Sequence, residues 1–348
     1  MSSLPYLNLS SELTVFGVIL TVLTNSVLIY LTCNRVKNIN PEYKFLILML
    51  AVIGIIFSLI EILVHPFLHS FNGSFAFFSI SLASPDYSEL RVALLSSYSI
   101  AYVVLICCLA IQFIYRYFVL LLPTTAVKLF RGFGILIWLL YGFICMTIWI
   151  ASLTQCLPDN YTRMYLKEEM IQNYEADVSS VPGYHLVAYN EHGSLRFKNL
   201  IGICCFTLVL SIQYLIIFYS GIKTHYGIKS IASMSSAKVH RLHSQLFKTL
   251  VIQITVPTLF YNSPVLIMYV LPYFNWKLSF PSGLMVCMFS LYPAADSLIL
   301  MVMVAEYHRL IKKMLKKILL RVSQWAKINA EDSTEHEINV ECPTRIDN

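Results

Sequence analysis

Two acids, Glu61 and Asp296, stand inside long apolar stretches of this chain. A charge at the middle of a membrane helix costs about 2.5–3.5 kcal/mol on insertion scales, so such residues face a bundle interior and pair there or serve a site. His65 follows Glu61 by four residues, which predicts both on one helix face beside Pro66, where a kink is expected. That pair suits either the lining of a ligand pocket or a hydrogen-bonded lock between helices. Asp296 comes four residues after Tyr292 and three after Pro293, a spacing that suits a switch or a structural polar contact. Arg116, between Tyr115 and Tyr117, closes another apolar run, where an Arg ordinarily snorkels to the interface. Pro257 and Pro264, seven residues apart, break a helix ladder on roughly one face and predict a bend able to pivot.

Several chemistries are absent from this inventory. No Lys lies between Phe280 and His308, so the last apolar stretch lacks a Schiff-base lysine for retinal. There is no H-E-x-x-H, no G-x-S-x-G and no phosphate-binding Gly loop, and neither catalysis, a cofactor nor a metal is expected. Of nine cysteines, Cys107, Cys108, Cys145, Cys204, Cys205 and Cys287 lie in apolar runs, where a thiol packs as a small apolar group. Cys156 is the one cysteine predicted on the outer side, without a partner thiol.

The elements that must position these residues follow from apolarity. The chain has 348 residues, 57% hydrophobic and 13% charged, with a mean hydropathy of +0.67. A soluble domain carries about 25% charged residues, so this composition excludes a cytosolic enzyme or a disordered chain and predicts a polytopic membrane protein. Seven stretches reach the ~20 residues needed to cross a bilayer as helices. They are Leu13–Thr32, Phe45–Ser70, Val92–Tyr115, Phe133–Leu153, Leu200–Ile222, Thr249–Val270 and Leu278–Ala305. The predicted fold is an all-α seven-helix membrane bundle over residues 13–305, preceded by an extracellular N-terminus, 1–12.

Charge orients the bundle. With the N-terminus outside, 18 of 25 Lys and Arg fall on the inner loops and proximal tail, in line with the positive-inside rule. The N-x-[ST] sequons at Asn8, Asn72 and Asn160 all fall on the predicted outer side as glycosylation acceptors. Residues 306–328 alternate Leu, Ile and Met with lysines at helical spacing, which predicts an amphipathic helix on the bilayer surface. Residues 329–348 turn acidic and poor in apolar side chains, which predicts a disordered tail. No nucleic-acid partner is expected.

Four stretches carry a family resemblance: Tyr43-Lys44-Phe45-Leu46, Phe113-Ile114-Tyr115-Arg116-Tyr117, Gln245 to Gln253 running on through Pro257 to Pro264, and Tyr292-Pro293-Ala294-Ala295-Asp296. In them the chain resembles the nematode serpentine chemoreceptors of the Str family and the similar Srj family, divergent G-protein-coupled receptors. The resemblance implies an odorant-type small ligand in the outer half of the bundle, a heterotrimeric G protein at the inner face, and residence in the plasma membrane of a sensory cilium. It implies that Arg116 engages the G protein or holds the inactive state, and that Tyr292 to Asp296 form a switch. The chain departs from the rhodopsin-like pattern in having Tyr115 where an acid would pair Arg116, no cysteine atop the third helix, and Ser297 in place of a proline. A ligand-gated channel or transporter, or a non-signalling partner of other receptors, is the alternative assignment.

Overall fold

The computed structural model describes residues 4–37, 39–83, 89–231, 237–274, 280–281 and 283–340. Long helices dominate, because runs of Leu, Ile, Val and Phe in a medium without water must satisfy every backbone group internally. In chain order these are α1 (Leu4–Asn34), α2 (Pro41–Val64), α3 (Glu89–Leu121), the short α4 (Pro123–Phe130), α5 (Ile135–Thr154), α6 (Asn160–Tyr174), α7 (Phe197–Ile231), α8 (Ala237–Pro257), α9 (Ser263–Val270), α10 (Gly283–Met303) and α11 (Ala305–Val340). Helices α1, α2, α3, α5 and α7 are each long and apolar enough to cross a membrane. Of the two remaining predicted spans the sixth is interrupted and the seventh ends at a sharp bend. A π-turn over Thr258–Asn262 separates α8 from α9, and α10 runs into α11 across a bend of 95°.

The π-turn has a covalent cause. Pro257 and Pro264 lack the N–H groups that the carbonyls four residues earlier would accept, and their rings crowd those carbonyls. Widening one turn relieves the crowding, and π-turns of this kind recur at functional positions. The bundle closes through glycine: a Cβ on Gly17 would lie 2.7 Å from that of Ser290, and one on Gly54 would lie 3.0 Å from that of Pro293. These two positions let α1 and α2 approach α10 at backbone distance. Polarity is inverted relative to a soluble protein. Asn25, Gln112, Gln213 and Gln253 are buried, while α5 turns Leu136, Leu139, Leu140 and Phe143 outward.

One end of the bundle carries a small antiparallel sheet in the order β3-β2-β1-β4, with β1 Pro66–Phe71, β2 Ser74–Ser79, β3 Gly183–Val187 and β4 Phe280–Pro281. The sheet and α6 enclose a second core of Phe67, Phe78, Leu166, Met170, Tyr174 and Val181. The second predicted span therefore ends early: it was expected to reach Ser70, but α2 stops at Val64. His65 caps α2 in the left-handed region at φ 45°, and Pro66 opens β1 rather than kinking a continuing helix. Glu61 and His65 consequently do not share a helix face across a kink. The hairpin signal was present in the sequence, since Asn72-Gly73 separates two aromatic-rich runs, with Asn72 at φ 47°.

At the opposite end Leu310, Ile311 and Met314 of α11 pack against the core, while Leu315, Ile318, Leu319 and Val322 stay exposed. Helix α11 continues past residue 328 to Val340, so the first part of the predicted acidic tail is helical. No Pro or Gly interrupts the chain between Ala305 and Val340, and Glu, Lys and Ala favour continuation. Residues 341–348, Ser233, Ser235, Ser236 and Lys277 lie outside the described residues.

Candidate functional site

Beneath the sheet lies a cavity of about 140 Å³ between α3, α5, α7 and α9. Strands β1, β2 and β3 roof it with Leu68, Phe75 and Tyr184, and Trp149 and Phe206 form much of its side wall. Its volume is close to that of engineered apolar cavities that admit benzene. No charged residue lines it among the described residues. Cys156 reaches the wall as a free thiol, its pKa pushed up to about 12 by burial.

The polar groups of the cavity form a directed chain. Tyr102 on α3 donates its hydroxyl to Asn262 Oδ1, and Asn262 Nδ2 donates to the Tyr214 hydroxyl on α7 at 2.6 Å. Tyr214 and Thr258 share a bond of 2.9 Å, and Thr258 Oγ1 donates to the Ile254 carbonyl at 2.6 Å. Because the Thr258 proton is committed to that carbonyl, Tyr214 is the donor to Thr258. The chain therefore starts at the cavity and ends on the backbone of α8, having passed through both ends of the π-turn. Separately, Trp149 Nε1 donates to Ser99 Oγ at 2.8 Å. Asn262, Tyr102 and Tyr214 were not singled out from sequence. The signal available was a polar amide between Pro257 and Pro264, in Asn262-Ser263-Pro264.

Neither Glu61 nor His65 lines the cavity. Glu61 is fully buried and accepts a hydrogen bond from Ser290 on α10, whose hydroxyl also approaches Thr14 on α1 at 3.4 Å. His65 is half-buried, edge-on to Phe67 at 5.2 Å. Deeper in the bundle, Asn25 Nδ2 donates to the Pro293 carbonyl at 3.3 Å, Ser297 donates to Asn25 Oδ1, and Gln253 Nε2 donates to the Asp296 carbonyl at 3.3 Å. Pro293 and Asp296 are thereby tied to α1 and to α8, and Tyr292 packs with Phe113 and Leu250.

Arg116 is elsewhere, and it does not snorkel. Helix α3 continues to Leu121, which leaves Arg116 one turn inside and only 5% exposed. Its guanidinium lies over the Tyr43 ring at 3.5 Å from the centroid, and Nε and Nη2 meet no hydrogen-bond acceptor among the described residues. Tyr115 stacks with Tyr43 at 5.6 Å and its ring lies 6.0 Å from the same guanidinium, and Tyr117 meets Tyr219 of α7 at 6.0 Å. Nearby, Thr32 and Tyr307 share a bond of 2.8 Å that ties α1 to the start of α11. A groove between α7, α8 and α10 at this end is lined by His225, Lys229, Ser244 and Lys248.

The sheet end is held without a disulfide among the described residues. His69 on β1 bonds Glu169 at 2.9 Å and Tyr174 at 3.0 Å, which joins the sheet to α6. Asp159 caps α6 through the Thr162 amide and pairs with Arg196; burial opposes ionisation of its carboxyl, but these donors win and hold it below the usual range. Of the three sequons, Asn72 sits at the β1–β2 turn and Asn160 is exposed at the start of α6, both at the sheet end. The Asn8 backbone is in α1, and its side chain lies outside the described residues.

Residues 10–312 match the family of serpentine type 7TM GPCR chemoreceptors, Str. The chain is 38% identical over 306 residues to the G-protein coupled receptor str-33 of Caenorhabditis elegans, covering 86% of this chain and 89% of that protein. It is 28% identical over 317 residues to serpentine receptor class r-10 of the same nematode, covering 89% and 92%. Squid rhodopsin superposes with a TM-score of 0.60 at 15% identity, over 92% of this chain and 87% of rhodopsin, which establishes the shared fold. The interrupted sixth helix and the seventh are thus crossings of a seven-helix receptor bundle, and the chain belongs to the Str family of serpentine G-protein-coupled chemoreceptors.

Proposed function

We propose that this receptor binds an odorant-type small ligand in the cavity under the sheet and activates a heterotrimeric G protein at the Arg116 end. One observation carries the reading: Asn262, the last residue of the break in the sixth membrane helix, lines the cavity, and α8 runs from that break to the basic end of the bundle. A ligand that prefers one arrangement of the break changes the population of the two helix positions by its differential affinity. In this scheme Pro257 and Pro264 are the hinge, and the Tyr292–Asp296 segment, tied to α1 and α8, reports the movement. At the far end Arg116 offers buried donors without an acceptor among the described residues, a costly arrangement that a carboxylate or backbone carbonyl of a partner relieves.

The sheet end faces outside in this reading. Asn8, Asn72 and Asn160 are then glycosylated, the basic loops and α11 meet the inner leaflet, and the site of action is the sensory cilium. Arg116→Ala tests the function. Ligand-evoked second-messenger production in a heterologous cell should fall to background while surface labelling of the receptor persists; undiminished signalling overturns the assignment.

A further inference from the structure

Resting on the reading of the cavity as the ligand site, we propose that Asn262 is its polar anchor and that the ligand is a small, uncharged molecule with an apolar body and one hydrogen-bond acceptor. Size and walls set the body. A space of about 140 Å³ walled by Phe77, Trp149, Phe206 and Phe289 fits a single ring or a short alkyl chain. With no charged side chain among the described residues of the wall, an ionised ligand would lose its hydration without compensation.

The hydrogen-bond accounting sets the polar group. Asn262 spends Oδ1 on Tyr102 and one Nδ2 proton on Tyr214, and no described residue accepts the second Nδ2 proton. Ser99 accepts from Trp149, and its own hydroxyl proton likewise has no described acceptor. Tyr102 has already given its proton to Asn262. The surplus at the cavity is therefore of donors, in side chains that are buried or half-buried. A ligand acceptor such as a carbonyl or ether oxygen satisfies it, whereas a ligand that only donates meets a phenolic oxygen, a weak acceptor. A site whose buried polar group would be left unpaired discriminates against an analogue lacking the matching atom. The anchor is also the last residue of the π-turn, so ligand contact acts on the hinge directly.

Titration calorimetry on the full-length receptor in lipid nanodiscs, with empty nanodiscs subtracted, tests this using three probes of similar size: benzaldehyde, styrene and benzoate. Benzaldehyde should bind about tenfold more tightly than styrene, the worth of one good hydrogen bond, and benzoate should not bind. In Asn262→Leu the preference for benzaldehyde over styrene should collapse toward unity while styrene binding persists, which shows an intact cavity. Ser99→Ala, a milder change, should reduce the preference by less. Equal binding of benzaldehyde and styrene to the unmodified receptor overturns the anchor and leaves the cavity reading standing. A preference that survives Asn262→Leu does the same. Failure of every probe to bind overturns the cavity reading and the anchor with it.

Discussion

The two ends of the bundle handle buried polar groups in opposite ways. Under the sheet, Tyr102, Asn262, Tyr214 and Thr258 form a directed chain in which every proton but the second Asn262 Nδ2 proton has an acceptor among the described residues. At the other end Arg116 is just as buried, yet it faces an aromatic ring and leaves two nitrogens without acceptors among the described residues. A satisfied network favours a single arrangement, which is what discrimination between ligands requires. An under-satisfied guanidinium stores a preference for any state that supplies an acceptor, which is what a switch requires. Under the proposed function, the cavity end reads the ligand and the Arg116 end is the output, joined by a helix broken beside the cavity.

The contrast can be broken most severely at the output end, where Arg116→Ala removes the donors altogether. Tyr43→Leu should come next. A cation–π contact is worth about 0.5–2 kcal/mol, so releasing Arg116 should raise ligand-independent signalling by about two- to thirtyfold. Tyr43→Phe keeps the ring and should leave basal signalling unchanged. A silent Tyr43→Leu would show that the ring merely fills space.

At the reading end, Tyr214→Phe cuts the chain below Asn262. Losing the bonds to Asn262 and Thr258, about 1–2 kcal/mol together, should shift the half-maximal concentration of a signalling response by about five- to thirtyfold, with ligand affinity moving less than twofold. Equal movement of both quantities would remove the distinction between binding and transmission.

The smallest effect concerns the roof. Burial pushes the His185 pKa down to about 4, helped by the charge of Arg163 and opposed by Asp159. An unfolded roof takes up the proton near pH 6.5, whereas the folded one does so only near 4. Stability is therefore complete above pH 6.5, declines as pH falls toward about 4, and is flat below. Hydrogen exchange of the β2 and β3 amides, corrected for intrinsic rates, should show that decline; protection that holds or rises on acidification would contradict it.

Hydropathy made the bundle legible because one physical demand, backbone satisfaction without water, acts on each helix separately. It made the roof illegible for the same reason. Pro66 to Phe71 carries no charge and keeps Phe67, Leu68 and Phe71, so a count of uncharged residues extends the span through His65, and only Asn72-Gly73 between the aromatic-rich runs points to a hairpin. Asp296 and the prolines were visible as local anomalies in apolar runs. Asn25 and Asn262 were not, since an uncharged amide in such a run is unremarkable until its partners are known.

Sequence by itself determined that this chain crosses a membrane as helices, which end carries its basic loops, and that the sixth span bends at Pro257 and Pro264. Those follow from composition and covalent geometry. Only the tertiary structure decided that Asn262 meets Tyr102 and Tyr214, that Glu61 meets Ser290, and that Arg116 lies on Tyr43. Each of those contacts joins residues far apart in the chain, and the packing of helix on helix selects them; no single helix carries the information.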